Sequence, residues 1–221
     1  MTGPHTAGPL VIGPDHPVVA ELAHALGAEV DRLPPVQPVA DDHAWGWAEP
    51  LERWRDRAAA AWAVDAVVVS VPAVVTEPRP LAAVDPDEWT ERVEGALASW
   101  VAALGAAKAR CADGGAVVAV VDRPPPLDSA GWAPESGVAD AVEALARSLA
   151  RSEGPRGVRV NVVTGPGRVL PERIVAPAPS LPTFPGRLDA EVAGAVRLLL
   201  APDASGITGT VVHADCGRSW R

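Results

Sequence analysis

The sequence predicts a three-layer α/β protein, a doubly wound parallel sheet with helices on both faces, occupying residues 1–221 as a single domain. Three observations lead there. Short β-rich runs alternate with longer stripes of helical period, as parallel β-α-β units require. Residues 66–71 (Ala-Val-Val-Val-Ser-Val) form an almost unbroken apolar run, as expected of a strand buried on both faces. With 221 residues, 48% hydrophobic and 21% charged, the chain can bury one core of ordinary size.

Taken in order, Leu10 to Ile12 is a strand ending at Gly13. Val18, Leu22 and Leu26 recur at steps of four and mark a helix. Ala28 to Val30 opens a second strand. Residues 31–50 carry Pro, Asp and Trp without a period and read mostly as loop, so the second crossover is shortened or irregular. Leu51 to Trp62 is helical, and the strand over residues 66–71 follows. Asp85, Asp87 and Glu88 place acids at the start of a long helix, where the helix dipole favours them. Gly114-Gly115 precedes a strand over Ala116 to Val121. Residues 123–136 read as a Pro-rich loop. Val138, Val142, Leu145 and Leu149 mark a further helix. Val158 to Val163 is a strand, residues 164–186 a second Pro-rich loop, Ala190 to Leu200 a helix, and Gly209 to His213 the last strand.

Composition removes several function classes. The formal charge of −9 opposes binding to nucleic acid or to an anionic membrane. No apolar stretch reaches the length of a membrane span, and the first residues lack a basic start followed by an apolar run. A cytoplasmic chain is the expectation. Cys111 and Cys216 have no metal or redox spacing, and the five histidines give no ligand pattern, so no metal site is expected. The chain contains no tyrosine, and Lys108 is its single lysine. Any chemistry that needs a phenol or a second lysine is thereby excluded.

Several phrases in a fixed order carry a family resemblance. Asp87-Glu88-Trp89 opens the long helix, and residues 115–121 read Gly-Ala-Val-Val-Ala-Val-Val. Residues 142–150 read Val-Glu-Ala-Leu-Ala-Arg-Ser-Leu-Ala. Then come Gly157-Val-Arg-Val-Asn161 and Ile207-Thr-Gly-Thr-Val-Val-His-Ala-Asp215. Over residues 60–220, and more faintly over 8–30, the chain resembles the short-chain dehydrogenases/reductases. The resemblance implies a Rossmann-like fold. In that family a glycine-rich turn after the first strand seats the dinucleotide pyrophosphate. The corresponding text here is Ile12-Gly13-Pro14-Asp15-His16-Pro17, with one glycine, two prolines that lack an N–H, and an acid where phosphate would sit. No cofactor is therefore expected.

Transferred by spacing, the family's catalytic asparagine falls on Ala96, its serine near Asp122, its tyrosine on Glu135 and its lysine on Ala139. The resemblance implies a relay in which the lysine lowers the tyrosine pKa and the tyrosine exchanges the substrate proton. None of those four residue types is present at those positions. Asp122 and Glu135 remain as candidate acid and base across the cleft, should the chain perform non-redox chemistry such as dehydration, isomerisation or cyclisation.

The two long helices stay strongly patterned. Trp89, Val93, Leu97, Trp100 and Leu104 on one, and Val138, Val142, Leu145 and Leu149 on the other, correspond to the family's dimer-forming helix pair. Ala96, Ala139, Ala146 and Ala150 would permit close approach of a second pair. Trp100 and Trp132 are expected to contact another subunit or a ligand. The expectation is a non-catalytic subunit that pairs with an active relative or with itself and stabilises it or shapes its substrate site. The alternatives are a repurposed non-redox enzyme and a divergent NAD(P)-dependent reductase.

Overall fold

A computed structural model describes residues 8–35, 48–74, 77–167, 169 and 181–219. Six strands form one sheet: β1 (Leu10–Gly13), β2 (Glu29–Arg32), β3 (Val64–Ser70), β4 (Cys111–Asp122), β5 (Arg159–Gly165) and β6 (Val211–His213). They lie in the order β2-β1-β3-β4-β5-β6, and every neighbouring pair is parallel. The predicted doubly wound sheet is the observed one. From β1 the chain steps to β2 on one side and returns to β3 on the other. The switch point therefore lies between β1 and β3, where open sheets of this kind place ligands.

Strand alternation sorts the core into two layers. Ile12, Val69, Ala119 and Val162 stand in register across four strands and face one helical layer. That layer is α2 (Ala48–Ala59), the long helix and α5 (Ala133–Glu153). Val11, Val68 and Val118 form the adjacent row and face α1 (Pro17–Leu26) and α6 (Ala193–Leu200). Burial on both faces explains why these strands read as continuous valine runs.

Helix ends follow local chemistry. His16 caps α1 through its imidazole, and Gly27 closes the helix at φ 62°, a conformation only glycine adopts without strain. The carboxylate of Asp85 accepts the Glu88 N–H at 2.8 Å and starts the long helix as the acids there predict. That helix is composite. α3 (Pro86–Trp89) runs into a π-helical stretch (Thr90–Gly95) and then α4 (Ala96–Arg110).

Several element boundaries differ from the sequence reading. The second strand extends to Arg32, and α2 begins at Ala48, so both reach into the stretch read as loop; residues 36–47 lie outside the described residues. β4 begins at Cys111 and contains the Gly114-Gly115 pair. Helix α5 starts at Ala133, inside the stretch read as Pro-rich loop, because Pro134 occupies a first-turn position where no intrahelical N–H is needed. β5 runs on through Thr164 to Gly165, into the stretch expected as loop over 164–186, because the β4 ladder continues to Asp122; residues 168 and 170–180 lie outside the described residues.

The aromatic expectations need revision too. Trp100 and Trp132 are 1% and 0% exposed, so the chain's own core takes up both rings. Trp54 is buried as well, whereas Trp62 is 90% exposed. A tryptophan on a helical stripe marks the sheet-facing side as readily as an outer one.

Candidate functional site

The carboxyl ends of β1, β3, β4 and β5 open on one side of the sheet, and the chemistry-bearing residues gather there. The turn from β1 into α1 comes first. Gly13 is required by packing: a Cβ on it would lie 2.4 Å from the Ser70 carbonyl oxygen and 2.9 Å from a Val19 methyl. Pro17, at the first helical position, has no N–H. The next N–H, of Val18, is given to Nδ1 of His16 at 3.2 Å. Asp15 is exposed and lies 3.7 Å from Arg32. A pyrophosphate needs several outward-pointing N–H groups and a positive field at this place. These residues supply an occupied donor, two prolines and a carboxylate, and they do not fit a dinucleotide.

Deeper in the crevice, Asp122 ends β4 and Glu135 lies in the first turn of α5. Both line a cavity of about 20 Å³ with Arg92, Ala96, Trp100 and residues 71–74, room for about one water. The fold thus brings together the two carboxylates singled out from the sequence, but it gives each a partner. Asp122 Oδ2 accepts the Ala73 N–H at 2.8 Å, tying the end of β4 to the chain just beyond β3. Glu135 is buried and accepts two hydrogen bonds from Arg92, Nε to Oε1 and Nη2 to Oε2, each 2.7 Å. Arg92 also donates to Glu88 at 2.6 Å, and Glu88 in turn accepts from Arg79 at 3.1 Å.

Burial works against the Arg92 charge, but the hydrogen bonds to Glu135 and Glu88 outweigh it and raise the guanidinium pKa. Both oxygens of this carboxylate are taken up by a permanent cation in a bidentate pair. The arrangement is structural first. Sequence reading missed Arg92. Its signals were present: Glu88 four residues earlier on the same helix face, and a lone arginine within an apolar stripe. Arg92 sits in the π-helical stretch, whose widened turn faces the crevice.

The other positions transferred by spacing are small and packed. Ala96 lines the cavity at the start of α4, and Ala139 is fully buried in α5. On the far side of Asp122 lies a second cavity of about 280 Å³, bounded by Glu21, Ser70, Gly165–Gly167 and Pro185. His213 is exposed and its Nδ1 lies 2.7 Å from Thr164 Oγ1. Cys216 is buried beside Thr183 Oγ1 at 3.3 Å, and Ser148 is exposed on α5. Among the described residues no group of three or more His, Cys, Asp or Glu converges as metal ligands.

The helix stripe splits between two faces. Val93, Trp100, Leu104, Val138 and Val142 are buried in the chain itself and cannot meet another subunit. Ala139, Ala146 and Ala150 are likewise taken up inside. Trp89 is 39% exposed, and Leu97, Leu145 and Leu149 are half-buried. Val101, one turn beyond Leu97, is 53% exposed and joins them.

No protein-family model matches the sequence, and no curated protein matches it. Solved structures do match. A short-chain dehydrogenase/reductase from Serratia marcescens is 22% identical with a TM-score of 0.68, covering 98% of this chain and 100% of that one. A blue fluorescent protein from a metagenomic library, solved with NADPH, is 19% identical with a TM-score of 0.70 over 98% and 100%. An enoyl-(acyl-carrier-protein) reductase from Anaplasma phagocytophilum, solved with NAD, is 18% identical with a TM-score of 0.65 over 98% and 96%. The chain has the fold of the short-chain dehydrogenases/reductases. Among the described residues no helix is long and apolar enough to cross a membrane.

Proposed function

We propose that the chain is a non-catalytic subunit of short-chain dehydrogenase/reductase fold, which pairs with an active oxidoreductase of the same fold and stabilises it or completes its substrate cleft. One observation carries this reading. The position that corresponds to the family's proton donor is Glu135, and Arg92 holds both of its oxygens in a buried pair. The absence of tyrosine from the whole sequence and the donor-poor turn at Pro14 to Pro17 point the same way. The exposed or half-buried apolar side chains on the two long helices, Trp89, Leu97, Val101, Leu145 and Leu149, support pairing, since apolar surface gathered into a patch is an aggregation liability unless covered.

The test has two arms. The chain, expressed together with an active enzyme of this fold from the same genome, co-purifies with that enzyme and raises its turnover. Titration with NADH and NADPH leaves the tryptophan fluorescence of the isolated chain unchanged. A stable monomer that neither captures nor activates such an enzyme contradicts the pairing. Saturable dinucleotide binding would instead favour a divergent reductase.

A second reading, a non-redox enzyme, has one observation in its favour: Asp122 and Glu135 line the same cavity. In that case Asp122→Asn and Glu135→Gln each abolish a turnover that the intact chain performs alone.

A further inference from the structure

We propose that the slot between the carboxyl ends of β1 and β3 binds a small organic amine with a flat apolar body. This goes beyond the pairing reading and does not depend on it. The slot encloses about 320 Å³, within the range of ordinary small-molecule sites. Two of its walls are the segments that leave β2 and β3, residues 33–35 and 71–74. The third is the widened turn of the long helix, where Gly95 and Ala96 leave room by having almost no side chain.

The chemistry of the walls selects the ligand. Pro14, Pro34, Pro35 and Pro72 all face the slot. Proline rings are stiff and apolar and carry no N–H, so the walls are preformed and offer contact area instead of hydrogen bonds. That suits a flat ring and suits a phosphate poorly. The polar groups are on the helix side, where Thr90 is half-buried and Glu91 exposed. Two other polar side chains have engagements of their own: Ser99 Oγ donates to the Gly95 carbonyl at 2.9 Å, and Nδ1 of His16 takes the Val18 N–H. Among the described lining residues there is no arginine or lysine. An anion entering the slot meets Glu91 without a compensating cation, whereas an ammonium head is attracted to it.

Three indoles of near-equal shape separate these contributions on the full chain: tryptamine, tryptophol and indole-3-acetate, followed by calorimetry and saturation-transfer NMR. Tryptamine is expected to bind, tryptophol a few-fold more weakly, and indole-3-acetate a few-fold more weakly again, as one exposed charge contribution at each step allows. Glu91→Gln, at an exposed position that leaves the fold intact, brings tryptamine and tryptophol within about two-fold of each other. Thr90→Trp fills the slot and removes binding of both. The proposal is overturned by a carboxylate that binds as tightly as the amine, or by no amine binding at millimolar concentration. Unchanged amine preference in Glu91→Gln, unchanged binding in a folded Thr90→Trp, or displacement of tryptamine by a pyridine dinucleotide overturns it equally.

Discussion

Arg92 and Glu135 lie 43 residues apart and meet through two parallel N–H···O bonds of 2.7 Å, their side chains 0% and 5% exposed. Removing one member strands the other in the interior. Glu135→Ala should therefore cost about 3–5 kcal/mol, because Glu88 alone is left to neutralise a buried guanidinium. The joint substitution Arg92→Met with Glu135→Leu should recover most of that loss, since an apolar pair of similar volume avoids the desolvation cost of both ions. Urea unfolding of the two single variants and the double variant gives the coupling directly. Two additive single effects below 1 kcal/mol would mean that the pair is not a coupled structural element.

Asp122 has a smaller structural task. Its Oδ2 accepts the Ala73 N–H at 2.8 Å and fixes the strand-end segment that walls two of the cavities. Asp122→Ala leaves that N–H without its acceptor and should lower stability by about 1–2 kcal/mol. Asp122→Asn keeps an acceptor oxygen and should cost clearly less. The check is a shift of the urea midpoint at unchanged slope, larger for Ala than for Asn.

These two residues also show where sequence reading stops. β3 was legible because a strand covered on both faces must be valine-rich, and the helix start at Asp85 was legible because a cap acts within three residues. The strand-end location of Asp122 followed from the same local logic. The Arg92–Glu135 pair was not legible, since nothing local links a helix arginine to an acid at the start of another helix. The stripe of Trp89, Val93, Leu97, Trp100 and Leu104 mixes two faces: Trp89 is exposed and Leu97 half-buried, while Val93, Trp100 and Leu104 are buried in the core. Only packing separates them. Helix α5 was hidden at its start by Pro134, which ordinarily signals a loop but is harmless in a first turn.

Acid sensitivity should centre on Glu153, at the end of α5. Burial alone would raise its pKa, but hydrogen bonds from Arg156, Lys108 and Ser152 outweigh that and lower it below the ordinary carboxylate value. A depressed folded-state pKa means the folded protein holds the proton less tightly than the unfolded chain. The stabilisation is full above the unfolded value of about 4.3 and is lost as pH falls through the folded one. Glu153→Gln should therefore be less stable at pH 7 and show a flatter stability profile below about pH 4.5. Urea midpoints measured from pH 3 to pH 7 test this, and parallel profiles for the two proteins would reject it.

The last prediction concerns a strap across the back of the crevice. Arg218 donates from Nε and Nη2 to the two oxygens of Asp128 at 2.7 and 2.8 Å, with both side chains buried, and its guanidinium lies 5.7 Å from the centre of the Phe184 ring. Asp215 holds the turn before it by accepting the N–H groups of Gly217 and Arg218. Three stretches distant in sequence are thus clamped at one point: the loop after β4, the segment before α6 and the turn after β6. Asp128→Ala removes the carboxylate that accepts two hydrogen bonds from the buried guanidinium and should cost about 3 kcal/mol. It should also loosen these stretches before the sheet gives way, because β1 to β5 are held by their own ladders and packing. Native-state proteolysis should then cut the variant near residues 181–219 under conditions in which the sheet resists. Arg218→Lys should restore only part of the loss, since an ammonium cannot present two parallel donors to one carboxylate. Equal proteolytic resistance of Asp128→Ala and the parent chain would show that the strap is held by other contacts.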